Sequence, residues 1–287
     1  RVNRRTHRLP PGMAVAGPSQ QTPTPTDGQA LVTRNNIVCE KIDPQTSGTV
    51  GNGAFAMTVD ATGLQTFPDL YAPGVPLGTF SEWGWHGFAN PNNLRHDETL
   101  KNYNFRGWEE PYAVQIKENG RGAEASEWYR VNPHRMHLGF LGLELTDGSG
   151  NTVAPEELTG IRQVTDLWNG TVSSAFSVNG TAVEVNTTCD PGSDMVAATV
   201  KSPGMTGGQV KVNLRFGYPS GGHSDNATDW TVPQKHSTEN VEQGDNFAVL
   251  ERKLDATTYY VKVQWSGNAT IAKKEAHYFV VTPGSDE

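Results

Sequence analysis

From residue 161 onward, apolar and polar positions alternate in short runs, the two-residue period of a half-buried strand. "IRQVTDLW", "TVSSAFSV" and "TAVEVNTTC" follow one another, separated by Asn169-Gly170 and Asn179-Gly180. Asn-Gly between such runs is a strong hairpin signal, because both turn residues need positive φ. In "QVKVNLRFGY", Val210, Val212, Leu214 and Phe216 alternate with Lys211, Asn213 and Arg215. In "TYYVKVQW", Tyr259, Val261, Val263 and Trp265 share one face. One buried and one wetted face per strand suits stacked antiparallel sheets. "DMVAATV", "FAVLERKL", "ATIAKK" and "AHYFVVTP" supply further strands, and "LVTRNNIVCEKI", "AFAMTVDATG", "YAVQI" and "LGFLGLELT" supply less regular ones earlier. "GAEASEWYR", before Asn132-Pro133, predicts a short helix over 122–130. The pattern predicts an all-β fold: one large antiparallel β-sandwich over 30–287, with one or two short helices.

One stretch breaks the alternation. "FSEWGWHGF", residues 80–88, gathers Phe80, Trp83, Trp85, His86 and Phe88 beside Glu82, with Gly84 and Gly87 inside it and Asn90-Pro91 after it. Its rings follow neither a strand nor a helix period, so it reads as a loop that carries aromatic surface.

Composition changes the picture at the ends and in the excluded partners. "RVNRRTHR" runs into "PPGMAVAGPSQQTPTPTDGQ", which lacks the apolar content to pack, so residues 1–29 read as an extended arm. The net charge of −8 over the whole chain argues against a nucleic-acid partner, which needs concentrated basic surface. No apolar run approaches the roughly 20 residues of a membrane span, so no membrane partner is expected. No signal peptide is present, so an exported protein would be represented in mature form. Asn169, Asn179, Asn186, Asn226 and Asn268 each begin an Asn-x-Thr sequon. Chance would place about three in this composition, so the modest excess points to a secreted, glycosylated protein. Cys39 and Cys189 fit either one disulfide or two buried thiols, with the disulfide expected if the protein is exported.

Candidate chemistry is thin outside the aromatic loop. Asp97-Glu98 and Glu109-Glu110 are adjacent carboxylates, but neighbours in a strand point to opposite faces, so solvated charge is the expected reading. "NPHRMHLG" offers His134 and His137 without a Cys or carboxylate at ligand spacing, and no metal or cofactor is expected. No Ser lies in G-x-S-x-G, Cys39 has no flanking nucleophile signature, and "GNG" at 51–53 lacks the Lys and helix of a phosphate loop. Sugar rings, by contrast, present apolar C–H faces with hydroxyls at the rim. Trp83 and Trp85 could cover a face while Glu82, His86, Asn90, Arg106 and Trp108 supply the surroundings, although both tryptophans could equally plug a sandwich edge.

Three motifs carry a family resemblance. "VGNGAFAMTVDATGLQTF", "PLGTFSEWGWHGF" and "NPHRMHLGFLGLEL", supported by "TTCDPGSDMVAATV", resemble the N-terminal β-supersandwich of six-hairpin glycosidases. That family includes the kojibiose and maltose phosphorylase group and its hydrolase relatives, and the likeness spans about residues 31–287. It implies a galactose-mutarotase-like sandwich that packs on an (α/α)6 catalytic barrel as partner, with the catalytic carboxylates in that barrel. No catalytic residue is therefore expected here. The resemblance implies that sandwich loops reach the sugar pocket, a role that falls to Trp83, Trp85, His86 and Glu82, with Arg135 and His137 beside them. The resulting expectation is the non-catalytic domain of a secreted glycoside hydrolase acting on carbohydrate. A glycoside phosphorylase and a stand-alone carbohydrate-binding or adhesion sandwich are the alternatives.

Overall fold

The computed structural model describes residues 27–222 and 225–286. The expected arm therefore lies outside the described residues, except at its last positions. There a helix, Gly28–Thr33, replaces both the end of the arm and the start of the expected strand "LVTRNNIVCEKI". Asp27 caps it by accepting the Ala30 N–H through its side chain at 3.1 Å.

The fold is all-β, built from antiparallel sheets. The largest has five strands in the spatial order Ile37–Cys39, Leu158–Asp166, Thr171–Val178, Thr181–Cys189 and Val196–Lys201. A four-stranded sheet runs Ala269–Glu275, Tyr278–Pro283, Val210–Arg215 and Phe140–Leu145. Two three-stranded sheets complete the body. One holds Gly48–Gly51, Phe55–Val59 and Thr79–Ser81, the other His236–Gln243, Phe247–Leu254 and Thr257–Gln264. Two ribbons, Trp85–His86 with His134–Arg135 and Leu100–Phe105 with Trp108–Ala113, stand apart from these sheets.

Period-two alternation explains where the core sits. Val172, Phe176 and Val178 of one strand and Val183 and Val185 of the next face inward against Val50, Met57, Val59, Leu143 and Leu145. A second cluster joins Ala248 and Leu250 to Leu214, Phe216, Ile271, Phe279 and Val281. The four-stranded sheet contributes to both clusters from one face, Val210 to the first and Leu214 to the second. On its other face, which alternation marked as wet, Asn213 is buried opposite Gly142, where the Gln65 segment packs closely.

The segment "VDATGLQTF" ties the sheets together with a polar knot. Asp60 is fully buried and accepts from the Thr62 N–H (2.8 Å), the Thr62 hydroxyl (2.6 Å) and the Phe67 N–H (2.7 Å). Gln163, from the five-stranded sheet, donates to the Asp60 carbonyl at 2.6 Å, and Thr187 donates to the Gly63 carbonyl at 2.7 Å. Gln65 accepts from the Leu141 N–H at 3.1 Å, which reaches the four-stranded sheet. This part of a motif that carried the family resemblance is thus structural cement, with the Asp60, Thr62, Gln65 and Thr66 side chains engaged in internal hydrogen bonds.

Three helices are present among the described residues, Gly28–Thr33, Pro68–Tyr71 and Arg121–Val131, one more than the expected one or two. The last matches the expected helix over 122–130 within a residue at each end. No helix is long and apolar enough to cross a membrane.

The register overturns the disulfide. Cys39 and Cys189 are free thiols. They lie on the first and fourth strands of the five-stranded sheet, three strand intervals apart, about 14 Å at ordinary spacing. A disulfide spans at most about 7 Å between Cα atoms. The sequons also divide: Asn169, Asn179, Asn186 and Asn268 are exposed, whereas Asn226 is only 7% exposed and offers a glycan no room.

Candidate functional site

The aromatic loop is a strand, a turn and a very short strand. Thr79–Ser81 pairs with Phe55–Val59, the chain turns through Glu82–Gly84, and Trp85–His86 pairs antiparallel with His134–Arg135. Alternation sorts the side chains. Trp85 sits opposite Arg135 on the outer face, and His86 opposite His134 on the inner one. The Arg135 guanidinium stacks on Trp85 at 4.1 Å from the ring centroid and donates to the Ser81 carbonyl at 2.6 Å.

Both indoles are held at the polar end and open at the apolar one. Trp83 is 49% exposed, donates to Asp194 at 2.7 Å and meets Tyr259 edge-on at 5.9 Å. Trp85 is 44% exposed and donates to the Glu82 carbonyl at 2.9 Å. The side chain of Glu82 is exposed beside them. The structure therefore brings together Glu82, Trp83, Trp85 and Arg135, and adds Asp194, which no local signal in the sequence marked because it comes from a turn more than a hundred residues away. The surface so formed carries fixed indole area, one guanidinium and two carboxylates, a mixture suited to the C–H faces and hydroxyl rim of a sugar.

Two expected site residues are elsewhere. His86 is 1% exposed, packed edge-on against Phe88 (4.8 Å) and Tyr218 (5.6 Å). Its Nε2 lies 3.2 Å from the Asp255 carboxylate, which also accepts from the Tyr218 hydroxyl at 2.6 Å. Burial lowers its pKa, against the opposing pull of Asp255, so it is a neutral packed group rather than a sugar contact. His137 is also buried, stacked on Phe140 at 3.9 Å, and its Nδ1 accepts from the Gly139 N–H at 3.1 Å. Burial brings its pKa down to about 3. The reasons differ: His86 follows the pleat inward because Trp85 takes the outward register, whereas His137 lies beyond the short strand and is drawn in between the Phe80 and Phe140 rings.

Asn90 is occupied within its own loop, since its side chain both accepts from and donates to the Leu94 backbone. Arg106 and Trp108 belong to the second ribbon, and no bond or ring contact joins them to the tryptophan pair. Three of the four paired carboxylates are tied into local structure, and Glu110 is an exposed charge on the ribbon. Glu98 takes the Arg95 N–H and pairs with Arg121, Asp97 pairs with Arg95, and Glu109 accepts from Asn104 at 2.7 Å. Among the described residues, no three His, Cys, Asp or Glu side chains converge as they would to hold a metal ion.

No protein-family model matches this sequence, and no curated protein matches it significantly.

Proposed function

We propose that this chain binds carbohydrate through the Trp83–Trp85–Arg135 surface, as the non-catalytic β-sandwich of a glycoside hydrolase. The observation that supports it best is a pair of tryptophans about half exposed, with both indole N–H groups committed to Asp194 and the Glu82 carbonyl. An indole held in this way keeps its orientation without a ligand, so stacking on a sugar requires little reorganisation. Glu82, Asp194 and Arg135 then face the hydroxyls.

The catalytic part of the reading rests on the resemblance described above. The acid and base carboxylates belong to a helical barrel packed against the sandwich, where water, or phosphate in a phosphorylase, takes the glycosyl group. The mass of the native protein, and a search for a linked or tightly bound helical chain, test that part separately. A native protein of sandwich size with no helical partner would leave a stand-alone carbohydrate-binding module. That second reading is favoured by one observation, that the tryptophan surface is built wholly within these residues. Export belongs to the same proposal, and glycan occupancy at Asn169, Asn179, Asn186 and Asn268 in the native protein tests it.

Calorimetric titration of the folded chain with a panel of oligosaccharides tests the binding surface. Trp83→Ala, Trp85→Ala and Arg135→Ala are each expected to weaken binding by about tenfold or more, near 1.4 kcal/mol, with the melting transition retained. Unchanged binding in all three would place the site elsewhere.

A further inference from the structure

The second ribbon pairs Leu100–Phe105 with Trp108–Ala113, and every residue after Leu100 is exposed. Its register opposes Lys101 to Tyr112, Tyr103 to Glu110 and Phe105 to Trp108, so these six side chains share one face. The other face carries Asn102, Asn104, Glu109 and Pro111, with Leu100 opposite Ala113 at its base. All four rings on the first face are open to solvent: Trp108 is 75% exposed, and Tyr103, Phe105 and Tyr112 about half. Neither outer edge of the ribbon pairs with another strand. A lone two-stranded hairpin is marginal in water, and an uncovered aromatic face on one marks an interaction surface.

The ring geometry selects the kind of partner. Tyr112 stands at 85° to Tyr103 and at 60° to Phe105, while those two are inclined by 35° to each other, so Tyr112 rises as a ridge across the face and breaks any flat shelf. Ridges interlock with protein side chains, whereas a pyranose ring needs an open, flat ring face. Charge narrows the choice further. The face carries Lys101, which pairs with Glu118 of the same chain at 3.4 Å, and Glu110, so it brings no large charge of either sign to an interface. A face without a large excess of one sign is compatible with a copy of itself. Area agrees: covering these rings and the two flanking charges buries roughly 500 Å² per copy, about 1,000 Å² in all, the lower limit of a specific interface.

We infer that the ribbon Leu100–Ala113 is a self-association arm, through which two copies of this chain pack ring face to ring face as a weak dimer. It uses none of the proposed sugar surface, so either reading can fail alone.

Sedimentation analysis of the whole chain from about 1 to about 200 µM tests it, together with hydrogen exchange of the 100–113 amides over the same range. The expected result is a monomer–dimer equilibrium, with exchange in the ribbon slowing as concentration rises. Phe105→Ser with Trp108→Ser should weaken dimerisation by at least about tenfold. Asn102→Ser, on the polar face, should leave it unchanged. A chain that stays monomeric with an equally exchanging ribbon throughout the range overturns the inference. So does a dimer that persists in the double variant, or a Trp108→Ser change that abolishes oligosaccharide binding by a monomer. Should the double variant not fold, exchange in the unmodified chain decides alone.

Discussion

Asp60 shows how one residue can hold several sheets in register. Its carboxylate is fully buried, and burial raises its pKa to about 6 against the lowering effect of the Thr62 and Phe67 hydrogen bonds. Replacing it with Ala strands those donors inside the core, so Asp60→Ala is expected to destabilise by about 2–4 kcal/mol in denaturant unfolding. Gly63, the residue after Thr62 in the chain's inward turn, has φ +85°, and a Cβ there would lie 2.9 Å from the Ser174 hydroxyl. Gly63→Ala should therefore cost about 1–3 kcal/mol, from backbone strain and the displaced neighbour together. The tryptophan surface was readable at this scale because it needed only residue type: Trp83, Trp85 and Glu82 are contiguous, and Arg135 lies in a neighbouring motif. Which ring or imidazole faced outward was not readable. For His86 that depends on a two-residue strand too short to show a period, and for His137 on the distant rings of Phe80 and Phe140, which local sequence does not reveal.

Turn chemistry decides what was legible among the elements. Asn179 and Gly180, at φ 48° and 82°, join Val178 to Thr181 as the two-residue hairpin that Asn-Gly specifies. Gly180→Val is accordingly expected to lower stability by about 1–2 kcal/mol, read as a shifted denaturation midpoint. At Asn169-Gly170 the same dipeptide ends a four-residue loop instead. Asp166 accepts the Trp168 and Asn169 N–H groups and closes the turn early. The aromatic ribbon was missed for the complementary reason. Its turn is Arg106-Gly107, with Arg106 at φ 54°, and arginine gives no turn signal. The alternation of Lys101, Tyr103 and Phe105 with Trp108, Glu110 and Tyr112 was the signal that could have found it. Strand Val196–Lys201 and the hairpins after Phe247 were legible because each has a polar face and a clear end.

At the scale of the whole molecule, histidine burial sets the response to acid. His137 and His236 are held down to about 3, in both cases mainly by burial, and at His236 also by Arg252 and His277. Burial lowers His86 and His277 as well. Arg252 is itself fully buried and is satisfied by neutral partners, among them Thr238 at 2.6 Å and His236 at 2.8 Å, which fixes a cation where histidine protonation would add another. A histidine whose folded pKa lies below its unfolded value of about 6.5 leaves stability untouched above that pH, and stability is lost as pH falls below it, because only the unfolded chain takes up the proton. Asp60 acts the other way between about 4 and 6, where the folded chain takes up a proton first. One carboxyl opposes four imidazoles, so the fold is expected to lose stability from pH 7.5 to 5. A melting series should show a fall of several degrees over that interval, with a flat region above about pH 7. His137→Phe should make the fall shallower, since Phe cannot take up a proton in the unfolded chain.

The fold class followed from alternation, while the carbohydrate reading depends on what the two exposed indoles do in solution. Tryptophan-detected titration of the native-sequence chain with neutral oligosaccharides, alongside Trp83→Ala and Trp85→Ala, tests that most directly. Saturable binding is expected in the micromolar to millimolar range, weakened by about tenfold or more in each variant while both variants keep the parent melting temperature to within a few degrees. Binding that survives loss of both indoles, or no binding to any neutral glycan by a properly folded chain, would contradict it.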